Sequence, residues 1–313
     1  MNETTIIVRA AALQTEARLG DVAANLADCE RLAERAVSEG ASWVVLPEFF
    51  STGIGYLPAL SAEAPGLDGE PTRLLEDLAA RHGIHVGGST LVRDADGEVR
   101  NAFLLFGPHG LVGRHDKDLP TMWESALYTG GHDPGRFDVE GTTVGVALCW
   151  ELMRSQTVAR LGGEVDLVVG GSGWWSMPEW PLLAGAERRN HARATAAPAT
   201  FARYVGAPVV HAAHAGRVEC GFLGTPLRYR GRLEGGAQVC DAGGQVLAYR
   251  DRDQGEGIVV ADVALGRTTP TYASDRFWLQ RRGAVAAAAW QFHNRVGRRS
   301  YARAQARRKV VAR

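Results

Sequence analysis

Short apolar runs alternate along the chain with longer segments of helical periodicity. Strands are predicted where a run contains few polar residues, because a strand buried on both faces is apolar throughout. These runs occupy residues 6–13, 43–46, 85–91, 102–106, 111–115, 143–148, 166–169, 208–213, 237–240, 246–249 and 257–262. Helices are predicted where apolar positions recur every three or four residues, at residues 21–39, 71–81, 182–204 and from residue 155 onward. This alternation, with hairpins among the strands, indicates an α/β layered domain with a mixed sheet.

Local signals define some of the boundaries. Asp21 is the expected N-cap of the first helix, since its carboxylate can accept hydrogen bonds from the free N–H groups of the first turn. The strand at residues 43–46 is expected to end at Pro47. Residues 94–97 read Asp-Ala-Asp-Gly, which is typical of a hairpin connection between two strands.

The composition is that of a folded protein. Of the 313 residues 22% are charged and 45% hydrophobic, so the chain can bury a large core and is not expected to be disordered. We find no internal repeat and no low-complexity linker. We therefore expect one domain at residues 1–265, followed by a C-terminal extension at residues 266–313.

The formal net charge of zero conceals an uneven distribution. Residues 266–313 carry 12 basic side chains and one acidic side chain, whereas the rest of the chain has a net charge of −11. Some basic extensions bind nucleic acid. An apolar stripe at helical spacing instead predicts a docked helix, and it consists of Val285, Ala288, Ala289, Phe292 and Val296. A helix that packs on an acidic body, its own or that of a second subunit, accounts for both stripe and charge, so nucleic acid is not expected as a partner.

Cysteine usage and the lack of targeting signals exclude several classes of protein. The four cysteines form no CxxC pair, which argues against a disulfide scaffold and a zinc finger. The nine histidines form no HExxH or HxH pattern, so we expect no metal site. No run of about 18 apolar residues and no basic segment followed by a long apolar stretch is present. A cytoplasmic protein without membrane association is the expectation.

Three apolar strands each lead into a residue that can take part in catalysis. Glu48 follows WVVLP, Lys117 follows GLVGRHD and Cys149 follows TVGVAL. Functional groups often occupy such positions because a rigid sheet fixes them. Each residue alone has an ordinary explanation, as a solvated glutamate, a surface lysine or a small buried cysteine. Lys117 is nevertheless one of only two lysines against 33 arginines, which suggests a site that needs a compact point charge.

Together and in this order, Glu48, Lys117 and Cys149 resemble the Glu-Lys-Cys triad of the nitrilase superfamily of carbon–nitrogen hydrolases. The resemblance covers about residues 5–265 and includes the LPEF, HDKDLP and CWE motifs around the three residues. It implies a four-layer α-β-β-α sandwich and a thioester acyl-enzyme on Cys149, and no step of that chemistry needs a metal or an organic cofactor. Members commonly associate, so the resemblance also implies a homodimer or a larger assembly.

Further site residues are expected from the same resemblance. Glu124 lies where many relatives carry a second glutamate, and it is expected to orient Lys117 or the substrate. Trp150, Ser172, Trp174 and Trp175 are expected to bind substrate, with the adjacent tryptophans as an aromatic wall for an apolar or planar group. A glycine-rich turn with two core tryptophans is an equally weighted alternative for residues 170–175.

The favoured function is hydrolysis of a non-peptide C–N bond in a small amide, with release of ammonia or an amine. A nitrilase is the nearest alternative, because Cys-Trp-Glu resembles the nucleophile motif of nitrile-cleaving members. Leu152 and Ser155 depart from the His/Asn and Pro that commonly follow this motif in nitrilases. An N-carbamoyl hydrolase, an acyltransferase and a non-catalytic protein that binds through the basic extension are weaker alternatives.

Overall fold

The computed structural model describes residues 6–271, residue 279 and residues 284–311, with side chains described from 287 to 308 in the last range. These residues contain fourteen strands, of which twelve form one mixed sheet. The strands are β1 (Ile7–Thr15), β2 (Trp43–Glu48), β3 (His85–Arg93), β4 (Val99–Gly107), β5 (Gly110–Asp116), β6 (Arg136–Val139), β7 (Thr142–Val146), β8 (Leu167–Ser172), β9 (Val209–His214), β10 (Arg217–Gly221), β11 (Arg228–Arg232), β12 (Gly235–Cys240), β13 (Val246–Asp251) and β14 (Gly257–Ala264). The α-helices are α1 (Val22–Ser38), α2 (Ala59–Ala62), α3 (Glu70–His82), α4 (Ser155–Leu161), α5 (Ala184–Val205) and α6 (Ala284–Val311).

The twelve-stranded sheet has the order β5-β4-β3-β2-β1-β9-β8-β7-β6, with β14 paired to β1, β12 paired to β9 and β13 paired to β12. Neighbouring strands are parallel from β3 through β2, β1, β9 and β8 to β7. The outer pairs β3–β4, β4–β5 and β6–β7 are antiparallel, and so is the pairing of β14 with β1. Strands β10 and β11 form a separate two-stranded sheet. The predicted mixed sheet is therefore present.

Strand periodicity divides the core into layers. Ala11 and Leu13 of β1 pack with α1 and α3 in one apolar cluster, while their neighbours Ala10 and Ala12 face a second cluster. That second cluster also contains side chains from β2, β4, β7, β8, β9 and β12, so it lies between two parts of the sheet. A third cluster joins β8 and β9 to α4 and α5. Because successive side chains of a strand point to opposite faces, these three clusters define the expected four layers, α-β-β-α.

The local signals in the sequence are mostly confirmed. The Asp21 side chain accepts a hydrogen bond from the backbone N–H of Ala24 at the start of α1. The turn at residues 94–97 joins β3 to β4 through a hydrogen bond from the Gly97 N–H to the Asp94 carbonyl. The prediction that β2 ends at Pro47 was wrong, because the strand continues to Glu48. Strands β6, β10 and β11 were not predicted.

Helix α6 packs against the body of its own chain with a largely polar face. The residues of this face are His293, Asn294, Gly297, Tyr301 and Gln305, all of them buried. The Tyr301 hydroxyl accepts a hydrogen bond from the Val99 N–H at 2.8 Å. The predicted apolar stripe is present only in part. Val296 is half-buried and packs against the body, Phe292 lies beside Gly224 of the body but remains largely exposed, and Ala288 is exposed. The side chain of Val285 lies outside the described residues. No helix in the described ranges is long and apolar enough to cross a membrane.

Candidate active site

Four of the predicted site residues lie together in a buried cluster. Glu48 is the last residue of β2, and Lys117 directly follows β5. Cys149 opens a short 3-10 turn after β7, and Glu124 lies in a second such turn, Met122–Ala126. Glu48, Lys117 and Glu124 are 0% exposed and Cys149 is 2% exposed.

The Lys117 ammonium lies between two carboxylates. Its Nζ is 2.8 Å from Oε1 of Glu48 and 2.7 Å from Oε2 of Glu124. The same Glu124 oxygen accepts hydrogen bonds from the Tyr128 hydroxyl at 2.6 Å and from the Thr121 N–H at 2.9 Å. A buried charge is tolerated only when it is paired and hydrogen-bonded, and this arrangement satisfies both conditions for Lys117.

Glu48 is held from several directions. Its Oε1 accepts a hydrogen bond from the Asn101 amide at 2.9 Å, and its Oε2 accepts one from the Gly173 N–H at 3.1 Å. The Cys149 thiol is close enough to this carboxylate for Glu48 to raise the pKa of the thiol. His214 Nε2 lies 2.7 Å from the Glu48 carbonyl oxygen. The carboxylate is therefore fixed by Lys117, Asn101 and Gly173 and has little freedom to move.

Left-handed backbone conformations concentrate at this cluster. Cys149 has φ of +50°, Phe49 has φ of +57° and Met122 has φ of +52°. Such values are costly for residues other than glycine and persist where the surrounding structure enforces them. The chain therefore turns sharply at three places: at Cys149 itself, at Phe49 directly after Glu48, and at Met122 two residues before Glu124.

Burial sets the protonation behaviour of the cluster. Burial raises the pKa of Glu48 above its usual range, and the nearby Lys117 ammonium opposes this rise only in part. Burial also raises the pKa of the Cys149 thiol, with the Glu48 carboxylate as a second cause. Burial would lower the pKa of Lys117, but the carboxylates of Glu124 and Glu48 raise it well above its usual range. Lys117 thus remains an ammonium, and the thiol needs a base in order to lose its proton.

The glycines of the 170–173 segment allow β8 to approach the backbone that precedes Cys149 and Glu48. A Cβ at Gly170 would lie 2.0 Å from the Ala147 carbonyl oxygen, and one at Gly171 would lie 2.8 Å from the Glu48 nitrogen. Larger residues would push these segments apart. Ser172, a predicted substrate-binding residue, is buried with its hydroxyl 3.0 Å from Nε2 of His211.

Two groups of tryptophans flank the cluster. Trp175 stacks on Trp123, the residue before Glu124, with ring centroids 4.6 Å apart. Trp150, the residue after Cys149, lies 6.1 Å from Trp174 and stacks on Trp290 at 5.5 Å. Trp290 belongs to α6, so the C-terminal extension contributes an aromatic ring beside the residue that follows Cys149.

Sequence reasoning missed several contacts of the cluster. Asn101 and Tyr128 bind the carboxylates of Glu48 and Glu124, and Trp290 stacks on Trp150. One signal was available, because Asn101 is an uncharged polar residue directly before the apolar run at residues 102–106 of β4. The positions of Tyr128 and Trp290 depend on long-range packing that no local pattern reports.

A separate group of side chains has the spacing of a metal site but does not fit one. In the described part of the chain, His115, Asp118 and Glu151 place possible ligand atoms within 4.8 Å of one another. Burial would lower the pKa of His115, but Glu151 and Asp133 raise it to about 10. A protonated imidazole cannot ligate a metal. The Asp118 carboxylate pairs with Arg160, and both Glu151 oxygens accept backbone hydrogen bonds.

Comparison with solved structures shows the same fold. A carbon–nitrogen hydrolase superfamily protein from Xanthomonas campestris aligns with a TM-score of 0.64 and 19% identity, over 83% of this chain and 91% of the other. An amidase from Nesterenkonia sp. AN1 aligns with a TM-score of 0.64 and 21% identity, over 82% and 92%. These similarities confirm the four-layer sandwich.

Sequence comparison identifies the family. The omega-amidase NIT2 of Danio rerio is 30% identical over 175 residues, which cover 51% of this chain and 62% of the relative. A nitrilase of Pyrococcus abyssi is 28% identical over 168 residues, covering 51% and 63%. The chain thus spans a little over three fifths of the length of these relatives. The family model for carbon–nitrogen hydrolases matches residues 9–297. This confirms the resemblance drawn from the sequence motifs: the chain belongs to the carbon–nitrogen hydrolase family.

Proposed function

We propose that this protein hydrolyses the C–N bond of a small amide through a thioester on Cys149. The observation that carries the proposal is the buried cluster of Glu48, Lys117 and Cys149, in which the Glu48 carboxylate pairs with the Lys117 ammonium at 2.8 Å and raises the pKa of the Cys149 thiol. A thiol, a base and a fixed positive charge are the groups that attack on an amide requires.

In the acylation step, Glu48 accepts the Cys149 proton as the sulfur attacks the amide carbon. The carbonyl oxygen becomes an oxyanion, which Lys117 and the backbone N–H of Trp150 stabilise. The C–N bond then breaks, and the protonated Glu48 gives its proton to the departing ammonia or amine. The raised pKa of Glu48 suits this double role, because proton transfer is efficient when the pKa of the catalytic group approaches the working pH.

In the deacylation step, Glu48 removes a proton from water, which attacks the thioester carbon. The C–S bond breaks, the Cys149 sulfur recovers the proton from Glu48, and a carboxylic acid leaves. The site is thereby restored without any other reactant. Lys117 again stabilises the oxyanion, and its effect is large because the ammonium is fully buried.

Glu124 acts through Lys117 in this proposal. Its carboxylate holds the ammonium at 2.7 Å and is itself held by Tyr128 and Thr121. Without Glu124, Lys117 would pair with Glu48 alone and compete more strongly with the thiol for that base. Trp150, Ser172, Trp174 and Trp175 are proposed to form the substrate side of the site, where the tryptophans favour an apolar or planar group.

An amide is the favoured substrate class because several relatives with about 30% identity are omega-amidases. A nitrile is the second candidate, and it is supported by the CWE motif and by the nitrilase of Pyrococcus abyssi. Ammonia release separates the two classes when amides, nitriles and N-carbamoyl compounds are tested side by side. Release from amides alone supports the proposal, and release from nitriles alone replaces it with the nitrilase.

The experiment uses wild type, Cys149→Ala and Glu48→Gln with matched concentrations of each substrate. Both variants should lose ammonia release, because one lacks the nucleophile and the other lacks the base. Cys220→Ala is the control, since that thiol lies outside the cluster. Hydroxylamine should divert the acyl group to a hydroxamate in wild type. Substantial release by Cys149→Ala would contradict the proposal.

We also propose that the chain forms a homodimer or a larger assembly. Phe292 of α6 lies at the edge of the contact between this helix and the body, and it is 47% exposed. Leu227, which follows the loop that contacts α6 through Gly224, is 59% exposed. Light scattering at micromolar concentration should give at least twice the monomer mass, and Phe292→Asp should reduce it. A monomeric wild type would contradict this proposal.

A further inference from the structure

Glu151 connects the two segments that carry Lys117 and Cys149. Its Oε1 accepts a hydrogen bond from the Asp118 N–H at 2.8 Å, and its Oε2 accepts one from the Leu148 N–H at 2.8 Å. Asp118 directly follows Lys117, and Leu148 directly precedes Cys149. One carboxylate that is 0% exposed thus fixes the backbone next to both residues.

His115 fixes the charge and the orientation of this carboxylate. Its Nε2 lies 3.2 Å from Oε2 of Glu151 and 3.3 Å from Oε1, so the ring faces both oxygens. Its Nδ1 lies 2.6 Å from Oδ1 of Asp133. Because both ring nitrogens face carboxylates, the ring is an imidazolium, which donates on both sides.

Asp133 extends the arrangement to the other side of Lys117. Its Oδ2 accepts a hydrogen bond from the Asp116 N–H at 2.8 Å. The backbone N–H groups on both sides of Lys117 are therefore bound by carboxylates, and His115 joins these carboxylates to each other. The Lys117 N–H itself donates to the Asn101 carbonyl, so the segment has no free backbone donor at residues 116–118.

We propose that Glu151, oriented by His115, is a positioning residue that holds the Lys117 ammonium and the Cys149 sulfur at their working separation. This inference rests on the proposed function, since it assigns the role of Glu151 in the same site. Only a carboxylate can perform this role. Both oxygens face backbone donors, and the amide nitrogen of a glutamine would place a second donor against one of them.

The test compares Glu151→Gln with wild type by two measurements. The first is amide hydrolysis, where kcat should fall by about 100-fold with a small change in KM, because a misplacement of about 1 Å costs this much. The second is the rate at which iodoacetamide modifies Cys149, followed by peptide mass spectrometry. That rate should also fall, since the thiol and its base are no longer aligned. A kcat and an alkylation rate at wild-type values would overturn the proposal.

Asp166→Asn is the matched control. The Asp166 carboxylate also accepts a backbone hydrogen bond, from Thr143 at 2.8 Å, and pairs with the cation of Arg267, but it lies outside the catalytic cluster. Asp166→Asn should lower the thermal stability of the protein, while iodoacetamide should modify Cys149 at the wild-type rate. An equal loss of alkylation in the control would mean that any weakened backbone contact has this effect, and the proposal would be wrong.

Two further variants separate positioning from folding stability. Glu151→Gln combined with His115→Gln removes both charges, so part of the lost thermal stability should return while Cys149 alkylation stays slow. Recovery of alkylation together with stability would overturn the proposal. If Glu151→Gln does not fold, Glu151→Asp keeps the charge on a shorter side chain and should show the same kcat loss. Alkylation needs no amide substrate, so slow alkylation in Glu151→Gln supports positioning even if wild type hydrolyses no amide.

Discussion

Gly297 of α6 lies directly against Ser125, the neighbour of Glu124 in the 3-10 turn Met122–Ala126. A Cβ at position 297 would lie 2.1 Å from the Ser125 Oγ, 2.9 Å from the Ala126 nitrogen and 3.0 Å from the Ser125 carbonyl carbon. The turn could accept that atom only by moving its backbone. The C-terminal helix is thus in close contact with the turn that carries the second carboxylate of the site.

Gly297→Ala should therefore destabilise the protein and lower its activity. Helix propensity alone predicts the opposite sign, a gain of about 1 kcal/mol in the free energy of unfolding. Gly185→Ala in α5 is the control, because its nearest neighbours are arginine side-chain ends at 3.6 Å and beyond. Urea unfolding and amide hydrolysis measure the two effects. A stabilised, fully active Gly297→Ala would show that the contact is unimportant.

Lys117→Arg should lower kcat by at least 100-fold, although the charge is kept. The ammonium fits between two carboxylates at 2.8 and 2.7 Å in a fully buried site, and the planar guanidinium is too large for that position. Steady-state kinetics test this expectation, with Arg35→Lys on the exposed side of α1 as the control. Activity near wild type in Lys117→Arg would mean that a positive charge of any shape is sufficient.

The pH dependence of kcat/KM should report Glu48. As a base it must be ionised, and its pKa is raised by burial, so activity should fall with decreasing pH at a midpoint above the ordinary 4.5. Asn101→Leu removes a hydrogen-bond donor from the carboxylate and should move this midpoint to higher pH, because the ionised form loses a partner. A midpoint that does not move in Asn101→Leu would indicate that another group controls the acidic limb.

Stability at alkaline pH should depend on His115. Its pKa is raised to about 10 in the folded protein, against about 6.5 when unfolded. The contribution of His115 to the stability of the fold is complete at pH values below its unfolded pKa, and it is lost as the pH rises through its folded pKa. Between them the free energy of unfolding should fall by up to about 1.4 kcal/mol per pH unit. His115→Gln should lack this component, and identical pH profiles of stability would contradict the assignment of an imidazolium.

Much of the fold follows from the sequence because most strands are apolar runs between clear breaks. Strands β10 and β11 escape such analysis, since residues such as Arg217, Arg228 and Arg230 make them polar. The buried face of α6 is also not predictable from periodicity. It contacts the body through hydrogen bonds, such as that between Tyr301 and the Val99 N–H, about 200 residues earlier in the chain.

The candidate site is only partly predictable for a similar reason. Glu48, Lys117 and Cys149 could be selected because each follows an apolar strand within a recognisable motif. The roles of Asn101 and Glu151 could not, because Asn101 binds Glu48 and Glu151 binds the Asp118 N–H only after the folded sheet has brought distant segments together. Trp290 lies far outside the motifs, and it reaches Trp150 only because α6 folds back over the body.

An acyl group on Cys149 is the intermediate that the proposed mechanism requires, and mass spectrometry can detect it. The protein is mixed with an amide that releases ammonia, quenched in acid during turnover, and digested to locate the added mass. The acyl mass is expected on the peptide that contains Cys149, and it should be missing in Cys149→Ala. Ammonia release with the acyl group on another residue, or unchanged release by Cys149→Ala, would contradict the proposed mechanism.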